Sequence, residues 1–155
     1  MTDLERLLAL EEIEKLKARY FVGLDTQDWD LWRREVWAPD ARLEMPEIDT
    51  SWDGAETIIE MVARTTGNQV TVHHGHMPII DFQSDTEATG IWAMVDWMWR
   101  TAPHPFMDDW SRLLGFGHYH ERYVKLDIGW RIRTTRLTRL RVEMDLLTSA
   151  LGEAA

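Results

Sequence analysis

The chain has 155 residues, a length that fits one compact domain with a proper core and is too short for two ordinary ones. It carries 17 Lys and Arg against 27 Asp and Glu, a net charge of −10, and such a surface repels phosphate, which argues against a general nucleic-acid or anionic-membrane partner. With no cysteine there are no disulfides, thiolate nucleophiles or cysteine-held metal centres, so any catalysis must use oxygen and nitrogen groups. The opening Met-Thr-Asp-Leu-Glu-Arg lacks the apolar stretch of a signal peptide, and no apolar run nears the roughly 20 residues of a membrane span. The expectation is a soluble, cytoplasmic protein. Nine Trp and eight Met imply a bulky core or a cavity lined with flat, polarisable side chains.

Residues 3–24 place Leu4, Leu7, Leu8, Leu10, Ile13, Leu16, Tyr20 and Leu24 at three- and four-residue spacings among charged residues, which predicts an amphipathic helix with Asp3 as its N-cap. A second helical stretch runs from Gln27-Asp28 to Trp37, stopped at Ala38-Pro39-Asp40 because the residue before proline avoids the helical region. Ala41–Met45 reads as a short strand, Asp49–Gly54 as turns, and Ala55–Arg64 as a helix with Ile58, Ile59, Met61 and Val62 on its apolar side. From Gln69 the period changes, with β-branched and aromatic residues in runs at 69–83, 87–100, 115–126 and 129–143. Ser84-Asp85 and Asp127-Ile128-Gly129 are hairpin connections, and 101–114, with Pro103 and Pro105, is a longer loop able to cover a site. Asp145–Ala155 is a frayed tail or a piece that packs on a partner subunit. Helices first and a meander afterwards give an α+β fold, a cystatin-like cone in which a strongly curved, antiparallel or mixed sheet wraps the first helix and encloses a pocket.

Several side chains in this frame can carry chemistry. Tyr20 and Asp25 sit where the first helix ends, and both face the mouth of the cone if Leu16 and Leu24 face the sheet; Asp25 has a second reading as N-cap of the next helix. In the stretch VTVHHGHM at 70–77, strand alternation puts His73 on one face and His74 and His76 on the other, unless Gly75 marks a bulge. An Asp–His pair in an apolar cavity makes a competent general base, the carboxylate holding the imidazole tautomer. Asp96 interrupts an apolar strand on the same side as Trp92, Met94 and Met98, and is either catalytic or the partner of one of the arginines at 131, 133, 136, 139 and 141. Most of those arginines suit an outer strand face, while Arg139, between Thr138 and Leu140, can also turn inward as an anion or oxyanion clamp. His118 and His120 share one strand face, which permits metal binding but needs a third ligand from elsewhere. Trp29, Trp32 and Trp37 recur at helical spacing and read as core, whereas Trp92, Trp97, Trp99 and Trp110 can line a site for a flat hydrophobic molecule.

The segments IEKLKARYFVGLDTQDWD at 13–30, VHHGHMPIIDF at 72–82, ATGIWAMVD at 88–96 and GHYHERYVKLDIGWRIRTTRLTR at 117–139 resemble the SnoaL-like branch of the nuclear transport factor 2-like superfamily. That branch includes scytalone dehydratase, hexachlorocyclohexane dehydrochlorinase and the bile-acid 7α-dehydratases, and the pattern is most similar to the last group. The resemblance covers about residues 10–142 and implies catalytic roles for Tyr20, Asp25, His73, Asp96 and Arg139. The loop at 101–114 and the Trp-rich stretch at 92–110 depart from those dehydratases and would shape a different pocket.

The expected function is a cofactor-independent lyase, a dehydratase or related eliminating enzyme. Its substrate is small, hydrophobic and cyclic or aromatic, bound by Trp92, Met94, Met98, Trp110 and His120, with no metal and no cofactor. The resemblance also implies a homo-oligomer, dimer or trimer. The alternative is a non-catalytic module of the same fold that holds a hydrophobic ligand or assembles with a larger catalytic subunit.

Overall fold

A computed structural model of the chain describes residues 1–100, 102–103 and 110–146. The remainder of the expected covering loop, with Pro105, and the tail beyond Leu146 lie outside the described residues. Helix α1 (Asp3–Thr26) is followed by a one-turn helix α2 (Trp29–Leu31), a π-helical turn (Trp32–Val36) and, after strands β1 (Trp37–Met45) and β2 (Thr50–Asp53), helix α3 (Ala55–Thr66). Strands β3 (Gln69–Gly75), β4 (Ile79–Phe82), β5 (Glu87–Arg100), β6 (Trp110–Leu126) and β7 (Gly129–Leu146) complete the chain. The sheet is mixed and open, in the order β2-β1-β7-β6-β5-β3, with β4 also pairing with β5. Every pairing is antiparallel except that of β1 with β7. This is the expected α+β architecture, helices packed on one sheet.

The α1 stripe of Ala9, Ile13, Leu16, Tyr20 and Leu24 is buried against the inward residues Trp92, Met94, Tyr119, Tyr123, Ile132 and Leu137 of the long strands. Alternation along β5 decides which of its side chains join this core. Trp92, Met94 and Asp96 are buried, while Ile91, Trp97 and Trp99 are exposed on the other face.

Local chemistry moves several expected boundaries. Thr2, not Asp3, caps α1: its Oγ1 accepts from Glu5 N–H, and the Glu5 carboxylate accepts from Thr2 N–H in return. Leu4, Leu7 and Leu8, expected on the apolar face, are exposed. The second helix yields to strand already at Trp37, and Pro39 is tolerated inside β1 because the ladder to β7 is interrupted between Trp37 and Arg42, so no N–H is needed there. Four of the residues read as turns form β2 against Arg42–Met45. The run expected at 69–83 breaks into β3 and β4 around Pro78, which has no amide hydrogen for the ladder. Residues 110–114 extend β6 instead of belonging to the loop, pairing with β5 and β7.

The cap offers a direct check. Thr2→Ala is expected to lower stability by about 1 kcal/mol in urea unfolding, with Asp3→Ala costing less, because only Thr2 answers an orphan helix N–H.

Candidate active site

The end of α1 faces β3, and Asp25 bridges the gap. Gln27 adopts a left-handed conformation (φ 56°) as the C-cap of α1, and Asp28, not Asp25, caps the following turn by accepting from Leu31 N–H at 2.9 Å. Asp25 is therefore available to the strand. Its Oδ1 lies 2.6 Å from His73 Nδ1 and accepts from Thr71 Oγ1 at 2.9 Å, while Oδ2 accepts from the His73 backbone N–H at 2.9 Å. Three partners thus fix the carboxylate, which in turn fixes the imidazole with its proton on Nδ1 and leaves Nε2 as the basic nitrogen. The His73 side chain is 8% exposed and that of Asp25 22%. His74 and His76 lie exposed, as alternation required.

His73 sits directly across the β3–β5 ladder from Asp96, so the two side chains leave the sheet on the same side about 5 Å apart at Cβ. Asp96 is fully buried and its Oδ2 accepts from Arg139 Nη2 of β7. Arg139 does turn inward, and it is the arginine that partners Asp96. Burial lowers the affinity of its guanidinium for a proton, but the charge of Asp96 and the hydrogen bond to it outweigh that and hold its pKa above the ordinary value. The Arg139 backbone N–H donates to Glu47 at 2.7 Å. Gly115 lies between β5 and β7 opposite Asp96, and a Cβ there would collide with the Asp96 carboxylate, so glycine makes room for this ion pair.

Tyr20 is buried between these groups and a second set that the sequence reading did not select. Its ring stacks on Trp32 with centroids 4.9 Å apart and meets Tyr119 edge-on at 5.8 Å. Trp32 donates from Nε1 to the Tyr20 carbonyl at 2.8 Å. Burial pushes the Tyr20 phenol far above the normal range, and the negative charge of Glu121 adds to this. The charge of Asp96 raises both the Tyr20 and the Tyr119 phenol further, and the Arg139 guanidinium opposes it. On the far side, Lys17 Nζ donates to Glu121 at 2.6 Å, both residues being buried. Lys17 could have been noticed as the one charge at a core spacing of α1, four residues after Ile13 and three before Tyr20. Glu121 alternates with Tyr119 and Tyr123 on the inner face of β6.

Not every expected binding residue joins this cluster. Trp92 is buried, but its Nε1 donates to the Tyr123 hydroxyl at 2.7 Å, so it belongs to the packed core beside Met94. Met98 is half-buried on the same face. Trp110 is buried under the Arg100 guanidinium, 3.6 Å from its ring centre. Trp97 and Trp99 lie on the outer face, and so does His120, which is exposed and within 3.3 Å of Thr138 Oγ1 through Nε2. The inward residues of β6 are 119, 121 and 123, so alternation turns His120 away from the site. His118 accompanies it, ring centres 6.1 Å apart. Among the described residues no three His, Asp or Glu side chains are grouped to hold a metal ion. No helix among them is long and apolar enough to cross a membrane.

A family model for the SnoaL-like domain matches residues 5–136. The chain belongs to the SnoaL-like family. Among solved structures it is similar to a hexachlorocyclohexane dehydrochlorinase of type 2, with a TM-score of 0.79 at 18% identity over 97% of each chain. It is also similar to a scytalone dehydratase-like protein from Novosphingobium aromaticivorans DSM 12444, with a TM-score of 0.78 at 22% identity over the whole of both chains. A nuclear transport factor 2-like superfamily protein from Salmonella enterica serovar Typhimurium LT2 gives 0.72 at 17% identity over 97% of this chain and 99% of that one. At such identities the likeness establishes the shared fold, which serves enzymes and non-enzymes alike.

The tyrosines make the buried site measurable. All three in the sequence, Tyr20, Tyr119 and Tyr123, have phenols raised above the ordinary value of 10.0, burial being the largest cause. Because the folded chain keeps its protons where the unfolded chain loses them, these groups contribute full stability below pH 10.0, and that contribution falls as pH rises beyond it. The folding free energy is expected to drop by up to about 4 kcal/mol per pH unit there. Tyrosinate absorption should appear only together with loss of near-ultraviolet circular dichroism; ionisation at pH 10 in the folded protein would contradict the burial.

Proposed function

We propose that the chain is a cofactor-independent lyase that eliminates water or halide from a small hydrophobic cyclic or aromatic substrate. The observation that carries this reading is the Asp25–His73 contact at 2.6 Å, with the carboxylate further fixed by Thr71 and the His73 backbone. A histidine held in one tautomer by a carboxylate, with its side chain only 8% exposed, suits proton abstraction from carbon. The similarity to structures named for dehydrochlorination and scytalone dehydration supports the same class of chemistry.

In the proposed reaction His73 Nε2 takes a proton from carbon, the C–H electron pair forms the new double bond, and the bond to the leaving group breaks with its pair going to oxygen or halogen. Asp25 stabilises the imidazolium that results. Tyr20 donates a hydrogen bond to the atom that gains charge, and Arg139, anchored by Asp96, supplies positive potential there. The imidazolium then returns the proton to hydroxide, releasing water, or to solvent when halide departs. Asp96 is too deeply buried to touch a substrate readily and serves here as the anchor of Arg139. The resemblance of the sequence pattern to bile-acid dehydratases makes a hydroxylated steroid one candidate within the substrate class, and the departures at 101–114 and 92–110 count against it.

A non-catalytic ligand-holding or assembly subunit would have no use for an inward Asp–His pair, and its mark would be a His73 facing solvent or tied only to backbone. The imidazole is instead tied to the Asp25 carboxylate.

The test is turnover of hydroxylated steroids, hydroxylated aromatic ketones and chlorinated cyclic hydrocarbons, followed by mass spectrometry for loss of water or hydrogen chloride. His73→Ala and Asp25→Asn should each lower the rate by about 10²-fold or more while the thermal transition stays near that of the parent. Unchanged turnover in both variants would exclude the dyad, and tight binding without any mass change across the panel would favour the ligand-holding subunit.

A further inference from the structure

Lys17 takes no part in the elimination scheme, yet it is among the most completely buried side chains, 1% exposed. Its partner Glu121 is saturated: Oε1 accepts from Lys17 Nζ at 2.6 Å and from Thr135 Oγ1 at 3.0 Å, and Oε2 accepts from the Tyr123 hydroxyl. Tyr123 accepts in turn from Trp92 Nε1. The rest of the ammonium surface is covered by aromatic faces, 3.6 Å from the ring centre of Tyr119, 4.0 Å from that of Tyr20 and 4.8 Å from that of Phe21.

A buried ion pair is a poor means of stabilising a fold, since apolar side chains of the same volume generally do as well. What apolar residues would not supply is a cation against two phenol rings. A positive charge at that distance favours negative charge on the phenolic oxygens, so each O–H becomes a stronger donor. The two rings meet edge to face with centroids 5.8 Å apart, so one ammonium lies against both.

We propose that Lys17, held by Glu121 against the rings of Tyr20 and Tyr119, is a positioning residue that polarises this phenol pair and strengthens the hydrogen bond Tyr20 donates at the site. The receiving atom follows from the elimination reading; the contact between cation and phenols does not depend on it.

Lys17→Met alone would leave Glu121 charged and unpaired, so the informative variant is Lys17→Met/Glu121→Gln, which removes both charges and keeps the volumes. With a substrate that turns over, this variant should lose about tenfold in kcat relative to Glu121→Gln, which lacks the opposing anion but keeps the cation, with KM unchanged. The same pair of changes made in Tyr20→Phe should have no further effect. An equal loss in the Tyr20→Phe background, or an unchanged kcat in a protein that merely melts earlier, would overturn the assignment.

A second readout needs no substrate. The buried Tyr20 and Tyr119 hydroxyl protons, assigned in proton NMR spectra by Tyr20→Phe and Tyr119→Phe, should move upfield in Lys17→Met/Glu121→Gln relative to Glu121→Gln, because the cation against their rings is gone. An unchanged position would overturn the assignment. If no compound of the panel is turned over by the unaltered protein, the elimination reading fails and this spectrum alone decides the role of Lys17.

Discussion

A carboxylate held away from water must have its charge answered, and Glu121 sets that requirement at the centre of this molecule. Burial of such an ion costs several kcal/mol unless donors surround it, and the nearest sequence neighbours supply only Tyr123. The cation comes from Lys17, 104 residues away on α1, and a further hydroxyl from Thr135 on β7. Meeting this one demand fixes both the rotation and the height of α1 on the sheet. Tyr20, one turn beyond Lys17, is then laid against Tyr119, and Asp25 at the helix end reaches β3.

The same problem is solved a second time at Asp96. Its oxygens lie over Gly115, where any side chain would intrude, and Arg139 crosses from β7 to pair with it. A buried ion pair thus lies against the two phenol rings, and the Asp25–His73 dyad stands across one strand ladder from a second, partly buried pair. Held in place by folding, these dipoles and charges need little reorganisation when charge develops on a bound molecule, which is the condition for electrostatic catalysis. The dyad is the less buried part, with Asp25 22% exposed, and in the proposed elimination it is the part that meets the substrate.

Much of this was legible from residue order. Helical spacing marked Ile13, Leu16, Tyr20 and Leu24 as one buried face, and strand alternation separated His73 from His74 and placed Asp96 with Trp92 and Met94. Both are consequences of fixed backbone periods, so they survive without knowledge of the partner. Alternation also grouped His118 with His120, but it did not say whether that face or the opposite one, which carries Tyr119 and Glu121, looks inward. The histidines attracted the functional reading and the structure buried the glutamate. The exposed Trp97 and Trp99 were likewise on a definite face of β5 whose direction the sequence left open.

By itself the sequence determined the helix-then-sheet order, the lack of thiol chemistry and of a basic surface, the alignment of Asp96 with Trp92 and Met94 and the separation of His73 from its neighbours. Each of these follows from composition or from a local repeat. Tertiary structure alone decided that Asp25 orients His73 instead of capping a helix, that Arg139 among five candidate arginines pairs with Asp96, and that Lys17 answers Glu121. Those choices join residues 43 to 104 positions apart, and the desolvation of a buried charge selects its partner only once packing has brought the candidates together.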